Sequence, residues 1–390
     1  MNEFLQRAEE LKESMLKDRH YLHENAEVGN DLPVTTQYVM KRLKEIGLEP
    51  KEICQSGVMA LIQGKKPGKT YLLRADMDAL PMCENNDLPF KSKTNAAHNC
   101  GHDMHAAMLL ASAQILKEKE DELEGCVKLM FQPAEETFSG SQPMIEAGIL
   151  ENPKVDAASA IHTMLDWDHP SYAYTVGPMT SSCDGFKITV TGSGCHGAMP
   201  HLGIDPINVG MHIYSAYQEL IAREVPPKET ASLTFGQFSA GTTNNIIPET
   251  AVLQGTLRTY NKELRAHLVK RMKEITQAAA TMFRAQIDYQ VLSAVPSTYN
   301  DPDLVKELVH YLEDLGEGLL TSDNYRVTPS DDFAFISEKV PTVYFMLGTH
   351  VPGNPYPHHN PGVLFAEDTM PLGAAMHAQC AFQWLKNHAK

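Results

Sequence analysis

Residues 126–136 read CVKLMFQPAEE. An apolar stretch interrupted only by Lys128 and Gln132 stops at Pro133, and two adjacent carboxylates, Glu135 and Glu136, follow at once. Such a run predicts a strand buried on both faces, as in a parallel sheet, and a proline marks its end because it cannot donate to a ladder. In an α/β sheet the carboxyl edge of the strands is where sites gather. Neighbouring carboxylates placed there can divide labour, one holding a metal ion while the other stays free as a general base; their alternative is a solvated loop.

Working outward, strands are expected at VMALIQG (58–64), TYLLRADM (70–77) and AASAIH (157–162), with HDMHAAMLLASAQILKEK (102–119) as a helix between them. Strands alternating with helices of this length imply a layered α/β domain with a largely parallel sheet. The N-terminal stretch MNEFLQRAEELKESMLKDRH spaces Leu5, Ala8, Leu11 and Met15 at helical intervals, which is an amphipathic helix and not a signal peptide. A second helix is expected at TTQYVMKRLKEIG (35–47), with Val39, Leu43 and Ile46 on one face and Gly47 as its stop.

Near residue 180 the pattern changes. DGFKITVTG (184–192) alternates Phe186, Ile188 and Val190 as a half-buried strand does, and a helix at 205–223 begins with Asp205 as cap and Pro206 in its first turn. TASLTFGQF (230–238), AVLQGTLRTY (251–260), a helix at 262–283 and AQIDYQVL (285–292) complete a β-α-β-β-α-β order, which a ferredoxin-like module would give. The first kind of pattern resumes at 301–316 and at VPTVYFMLG (340–348). Residues 1–179 and 294–390 are therefore expected to form one discontinuous domain, interrupted by a smaller one at 180–293.

Composition narrows the class. The chain has 390 residues, 43% hydrophobic and 21% charged, so it is long enough for two cores and is not disordered. A formal charge of −16 argues against nucleic acid or an anionic membrane as partner, because both repel an acidic surface. No apolar run approaches membrane-spanning length. Seven scattered cysteines suit reduced thiols, hence a cytoplasmic setting.

Further chemistry-bearing residues stand where elements begin or end. HNCGHDMH offers His98, Cys100, His102, Asp103 and His105 at a helix start, and a Cys-x-His pair can put a thiolate and an imidazole on one ion. His162 closes AASAIH, His358 and His359 share the loop YPHHNP (356–361), and Asp76 and Asp78 in RADMDALP (74–81) are two apart and so point to the same side. Singly each is as readily structural as functional; together they supply enough N, O and S donors for two divalent ions.

RADMDALP, HNCGHDMHAAMLL, FQPAEE, the AIH strand end, GSGCHGAMPH (192–201), NIIPE (245–249), GTLRTY (255–260), SDDFAF (330–335) and HHNP (358–361) occur in this order. In that order they resemble the amidohydrolase branch of the zinc-peptidase superfamily, which contains hippurate hydrolase, N-acyl-amino-acid amidohydrolases and the auxin-conjugate hydrolases. The resemblance spans essentially the whole chain. It implies a two- or three-layer α/β zinc-peptidase catalytic domain carrying an inserted ferredoxin-like lid or dimerisation domain. It implies Cys100, His102, Glu136, His162 and His359 as ligands of two divalent ions, with Glu135 as general base. His359 is chosen over His358 because the family's last ligand stands two residues before the proline, here Pro361. A thiolate with imidazoles suits zinc, and manganese, cobalt or nickel would also be accepted. Two such ions acidify a water and polarise the amide carbonyl, and Glu135 would move the proton to the departing amine.

From the inserted domain the resemblance implies His196 as a stabiliser of the oxyanion, often supplied across a homodimer, with Asn245 and Arg258 on the polar end of an N-acyl amino acid. Arg258 could equally pair with a carboxylate inside its own domain. Asp78 resembles a family carboxylate that orients a ligand, whereas Asp76 stands where distant relatives carry a ligand histidine and has no assigned role. The chain departs from the family pattern at Asn99, at Asp331 in SDDF and at Cys195, which replaces a glycine beside His196 and adds an oxidisable thiol. A cysteine hydrolase built on Cys100 with His102 or His105 leaves Glu135, Glu136 and His359 unexplained, and a non-catalytic binding protein leaves Glu135 unexplained. A dipeptidase or carboxypeptidase of the same superfamily is the nearest rival.

Overall fold

The structure is a computed structural model that describes residues 2–168, 170–316 and 319–389. Helices α1 (Glu3–Glu10), α2 (Lys12–Glu24) and α3 (Pro33–Glu45) lead into strands β1 (Lys51–Cys54), β2 (Gly57–Gln63) and β3 (Lys66–Asp76). Then come α4 (His102–Glu118), β4 (Glu124–Gln132), α5 (Ser141–Glu146), β5 (Ala157–Met164), β6 (Ser171–Ala173) and β7 (Gly177–Pro178). The middle of the chain carries β8 (Cys183–Thr191), β9 (Cys195–His196), α6 (Pro206–Glu224), β10 (Ala231–Ala240), β11 (Ile246–Ile247), β12 (Thr250–Thr259), α7 (Lys262–Phe283) and β13 (Gln286–Val295). Last are β14 (Tyr299–Asn300), α8 (Pro302–Leu312), β15 (Leu320–Ser322), α9 (Ala334–Ser337), β16 (Thr342–Gly348) and α10 (Met370–Asn387). Two compact units result: residues 1–179 with 298–326 and 331–390, and residues 180–297 with 327–330.

The first unit is built on an eight-stranded sheet in the order β1-β2-β4-β3-β5-β16-β6-β15. Its centre, β4-β3-β5-β16, is parallel as the apolar runs require, while β1, β2 and β6 pair antiparallel at the flanks. Tyr71, Leu73, Val127, Leu129, Phe131 and Phe345 lie on one face of these central strands and Leu72, Met130, Ala160 and Tyr344 on the other, and all are buried, so both faces are covered. α4 is Ala-rich on a buried surface and packs closely against α10, which lets two helices share one side of the sheet. The expected single N-terminal helix is two: the chain turns at Leu11 because α1 packs on α10, with Phe4 and Phe382 ring centroids 5.4 Å apart, while α2 packs on α4.

The second unit has a four-stranded antiparallel sheet, β10-β12-β8-β13, formed in the order β8-α6-β10-β12-α7-β13. Phe186, Ile188, Val190, Leu253 and Leu257 on the sheet meet Ile213, Tyr217 and Leu268 on α6 and α7 in a separate core. Alternation with period two sends the intervening Lys187, Thr189 and Thr256 to the other, uncovered face. No helix among the described residues is long and apolar enough to cross a membrane.

Candidate metal centre

Four chain segments end at one edge of the first unit's sheet. β3 delivers Asp76 and, two residues on, Asp78; β4 ends at Gln132 just before Glu135 and Glu136; β5 carries His162; and the start of α4 carries His102 with Cys100 immediately ahead of it. The loop after β16 adds His358 and His359. Gly101, at φ +90°, makes the bend between Cys100 and His102, and a Cβ there would lie 2.7 Å from Thr163 Oγ1. Ala134 and His359 both hold left-handed backbone, at φ +53° and φ +63°. Such strain in non-glycine residues is kept where surrounding structure over-determines it, commonly at sites.

Asp78 ties the pieces together. Its carboxylate accepts from Glu135 N at 3.0 Å and Glu136 N at 3.2 Å, and its main-chain carbonyl accepts from His102 Nδ1 at 2.9 Å. Because a carbonyl only accepts, His102 carries its proton on Nδ1 and leaves the Nε2 lone pair facing inward. His162 is fixed in the same way, Nδ1 donating to Thr163 O at 2.7 Å and Nε2 lying 3.5 Å from Cys100 Sγ. His359 Nε2 stands 3.3 Å from Glu136 Oε1, and its backbone N–H donates to Asn99 O at 2.9 Å.

These residues form overlapping donor groups whose ligand atoms lie within 4.8 Å of one another: Cys100, His102 and His162; Cys100, Glu136 and His359; His102, Glu135 and Glu136. Cys100 belongs to two groups. His358 joins none, its Nε2 lying 3.4 Å from Thr163 Oγ1. His98 is also outside, buried with both ring nitrogens unpartnered, and Asp103 is taken up by Arg19 and His23.

The donor set fits divalent cations on two grounds. His102 Nε2 is buried and has no hydrogen-bond partner, a cost that nature rarely leaves unmet, and Glu136 Oε1 is buried beside the His359 ring at 3.3 Å. The local charge is also unbalanced. Although burial opposes it, Asp76 and Cys100 raise His102 well above its ordinary value, and hydrogen bonds to Cys100 and Glu136 push His359 up to about 10. Burial, then Glu136, raises the Cys100 thiol. An anionic pocket that recruits protons in this way would exchange them for metal cations, which also convert a buried thiol to thiolate.

Glu135 differs from its neighbour. Burial, followed by the charges of Asp331 and Glu136, raises its carboxyl well above the usual range, whereas His359 and His102 hold Glu136 below it in spite of burial. One of the two adjacent glutamates is thus poised to hold a proton and the other to stay anionic.

In the second unit β9 pairs with β11 so that His196 lies opposite Ile246, beside Asn245. His196 is exposed, and its Nδ1 accepts the Ala198 N–H at 3.1 Å, which places its own proton on Nε2. Arg258 donates to Ser330 Oγ at 2.9 Å and makes no ion pair among the described residues. Cys195 Sγ lies 3.5 Å from Met199 O.

Sequence reasoning missed a buried network below the site. Arg74 meets Asp76, Asp331 and Gln132, Asp331 also accepts from Tyr344 Oη, and Gln132 Nε2 donates to Asp332 at 2.5 Å. The signal was present as a lone arginine inside the apolar run TYLLRAD, since a charge on a strand buried on both faces needs buried partners.

Fold and site together define a protein of the M20/M25/M40 peptidase family, and the chain belongs to it, the family's pattern matching residues 72–383. Over 383 residues it is 35% identical to thermostable carboxypeptidase 2 of Saccharolobus solfataricus, covering 96% of each chain. It is also 35% identical to the N-acetyl-L-cysteine deacetylase of Bacillus subtilis, over 87% of this chain and 81% of that one. A crystal structure of a dinuclear metal-binding M20 peptidase from Bacillus subtilis superposes with a TM-score of 0.83 at 29% identity, over 97% of this chain and 99% of the other.

Proposed function

We propose that the chain is a two-metal amidohydrolase that cleaves the amide bond of N-acyl amino acids, with Cys100, His102, Glu136, His162 and His359 holding the ions. The observation that carries this reading is the convergence of three overlapping donor groups, with the buried and unpartnered His102 Nε2 among them, on a carboxylate whose pKa is raised. When bound, the ions supply Lewis-acid polarisation of the amide carbonyl and acidify the attacking water. Glu135 takes the proton of that water on its carboxylate and passes it to the amide nitrogen as the amine leaves. His196 presents an Nε2–H suited to a developing oxyanion, and Arg258, with no carboxylate partner among the described residues, offers a fork for the substrate's carboxylate.

A thiolate with three imidazoles suits zinc, and manganese, cobalt or nickel fit the carboxylate-bearing half. Homodimerisation through the second unit is supported by its exposed apolar stripe Ile207, Met211 and Tyr214 on α6, next to the open edge strand β10. Seven unpaired cysteines support a reducing, cytoplasmic setting.

The 35% identity to a carboxypeptidase favours a second reading, peptide-bond cleavage by the same residues. One panel separates the two: acetyl-, benzoyl- and longer acyl-amino acids alongside dipeptides and N-blocked peptides, with zinc, manganese or cobalt. Faster turnover of acyl-amino acids is expected. Preference for dipeptides would install the rival, and activity that survives exhaustive chelation would overturn the metal reading itself.

A further inference from the structure

Asp76, His102 and His105 also bring donor atoms within 4.8 Å of one another, all buried, and so resemble a third cation group. Their hydrogen bonds say otherwise. His105 Nε2 accepts the Thr163 N–H at 2.9 Å and His105 Nδ1 donates to Asp76 Oδ1 at 2.5 Å, so neither ring nitrogen keeps a lone pair for an ion. Asp76 Oδ2 accepts from Arg74 Nη1 at 2.7 Å, and Arg74 is gripped in turn by Asp331 at 3.0 Å and Gln132 at 3.0 Å. At the far end, Thr163 O accepts from His162 Nδ1 at 2.7 Å and Thr163 Oγ1 donates to Cys100 O at 2.9 Å.

The sheet explains why a histidine stands there. β3 pairs with β5 only as far as Arg74 opposite Ala160, although it continues beside β4 to Asp76. Beyond Ala160 the last residues of β5 have lost their neighbour on that side, and the Thr163 N–H points where β3 no longer runs. The His105 ring takes that ladder position, and the Asp76 carboxylate fixes the tautomer that can accept there.

We infer that Asp76 and His105 are positioning residues which, through Thr163, set where His162 Nε2 and Cys100 Sγ stand, and so how tightly the ion of the Cys100, His102 and His162 group is held. The inference rests on the metal reading above and gives Asp76 a supporting role in place of a ligand's.

The test uses the full chain, stripped of metal and titrated with cobalt(II) against a chromogenic chelator, with the cobalt–thiolate absorption recorded. His105→Phe removes both hydrogen bonds, whereas His105→Gln can keep an acceptor near the former Nε2. His105→Phe is expected to weaken cobalt binding about ten- to hundred-fold and to shift or diminish the thiolate band, with His105→Gln recovering part of both. A merely structural pair would lower the urea midpoint and leave the chelator competition and the band unchanged, which overturns the inference. Should His105→Phe give no cooperative urea transition, Thr163→Val decides, since it cuts the bond to Cys100 O while leaving the Thr163 N–H and carbonyl in place, and otherwise loses the 3.4 Å contact to His358 Nε2; wild-type affinity and spectrum in that variant likewise overturn the inference. If the unaltered chain binds no cobalt, it is the metal reading that fails.

Discussion

Glu135 and Glu136 are chemically identical neighbours, and their surroundings alone separate their roles. Glu135→Gln preserves shape and removes only the proton acceptor, so it should keep full metal content by elemental analysis while kcat falls about 10²- to 10⁴-fold. Near-normal turnover would refute the assignment. A second residue-scale case lies beside the site. His23 is buried between Asp103 and Glu84 at 2.8 Å and 2.9 Å, and although burial opposes the charge these carboxylates raise its pKa to about 9. A folded-state pKa above the unfolded 6.5 means stability that is fully present below pH 6.5 and is lost as pH rises through 9. The urea midpoint should fall over that window by an amount worth about 3 kcal/mol at most, and His23→Gln should flatten the slope. An unchanged slope in the variant would mean that other groups carry it.

At the scale of elements, four buried strands and the helix α4 could be read from apolar runs because burial on both faces erases alternation and leaves a simple signal. The two- and three-residue strands β6, β7, β14 and β15 carry no periodicity to read, since their pairing partners are fixed by tertiary context. The break at Leu11 was hidden for the same reason: each half obeys one helical pattern, and only the different partners of α1 and α2 force the turn. Within the site, donor types and strand ends were legible in HNCGHDMH and FQPAEE. The support of His105 was not, because its partner Asp76 comes from another element. Gly101 shows how an element's first residue bears on chemistry. Gly101→Ala should cost about 1–3 kcal/mol, because an L side chain would sit at φ +90° against Thr163 Oγ1, and metal affinity should fall with it. Thermal melts with and without added zinc measure both effects; equal stability and affinity would show that the bend tolerates a side chain.

For the whole molecule, every proposed ligand belongs to the first unit, whereas His196, Asn245 and Arg258 belong to the second. If His196 acts across a homodimer, mixing inactive His196→Ala with inactive Glu135→Gln should restore activity through hybrids that contain one site with both groups. Random exchange gives half hybrids, each with one such site, so recovery of about a quarter of the wild-type rate is expected. No recovery after subunit exchange has been verified by mass would place His196 over its own subunit's metals, and a monomer in sedimentation would exclude sharing altogether.

The short pair β7 and β14 has a consequence of another kind. Pro178 lies opposite Tyr299 and Gly177 opposite Asn300, and Met179 N donates to Thr298 O at 2.8 Å, so, apart from the four-residue excursion 327–330, the chain leaves the first unit and returns to it at adjacent points. The larger unit therefore carries a closed seam, whose two lips are held to each other by its own hydrogen bonds and do not depend on the passenger sequence between them. The same seam invites exchange. A chain in which a two-residue turn joins Met179 to Thr298 should fold and take up metal, since strands so paired are spanned by a tight hairpin connection. It should have lost turnover of acyl-amino acids, and grafting a relative's passenger into the seam should restore catalysis with that relative's preference.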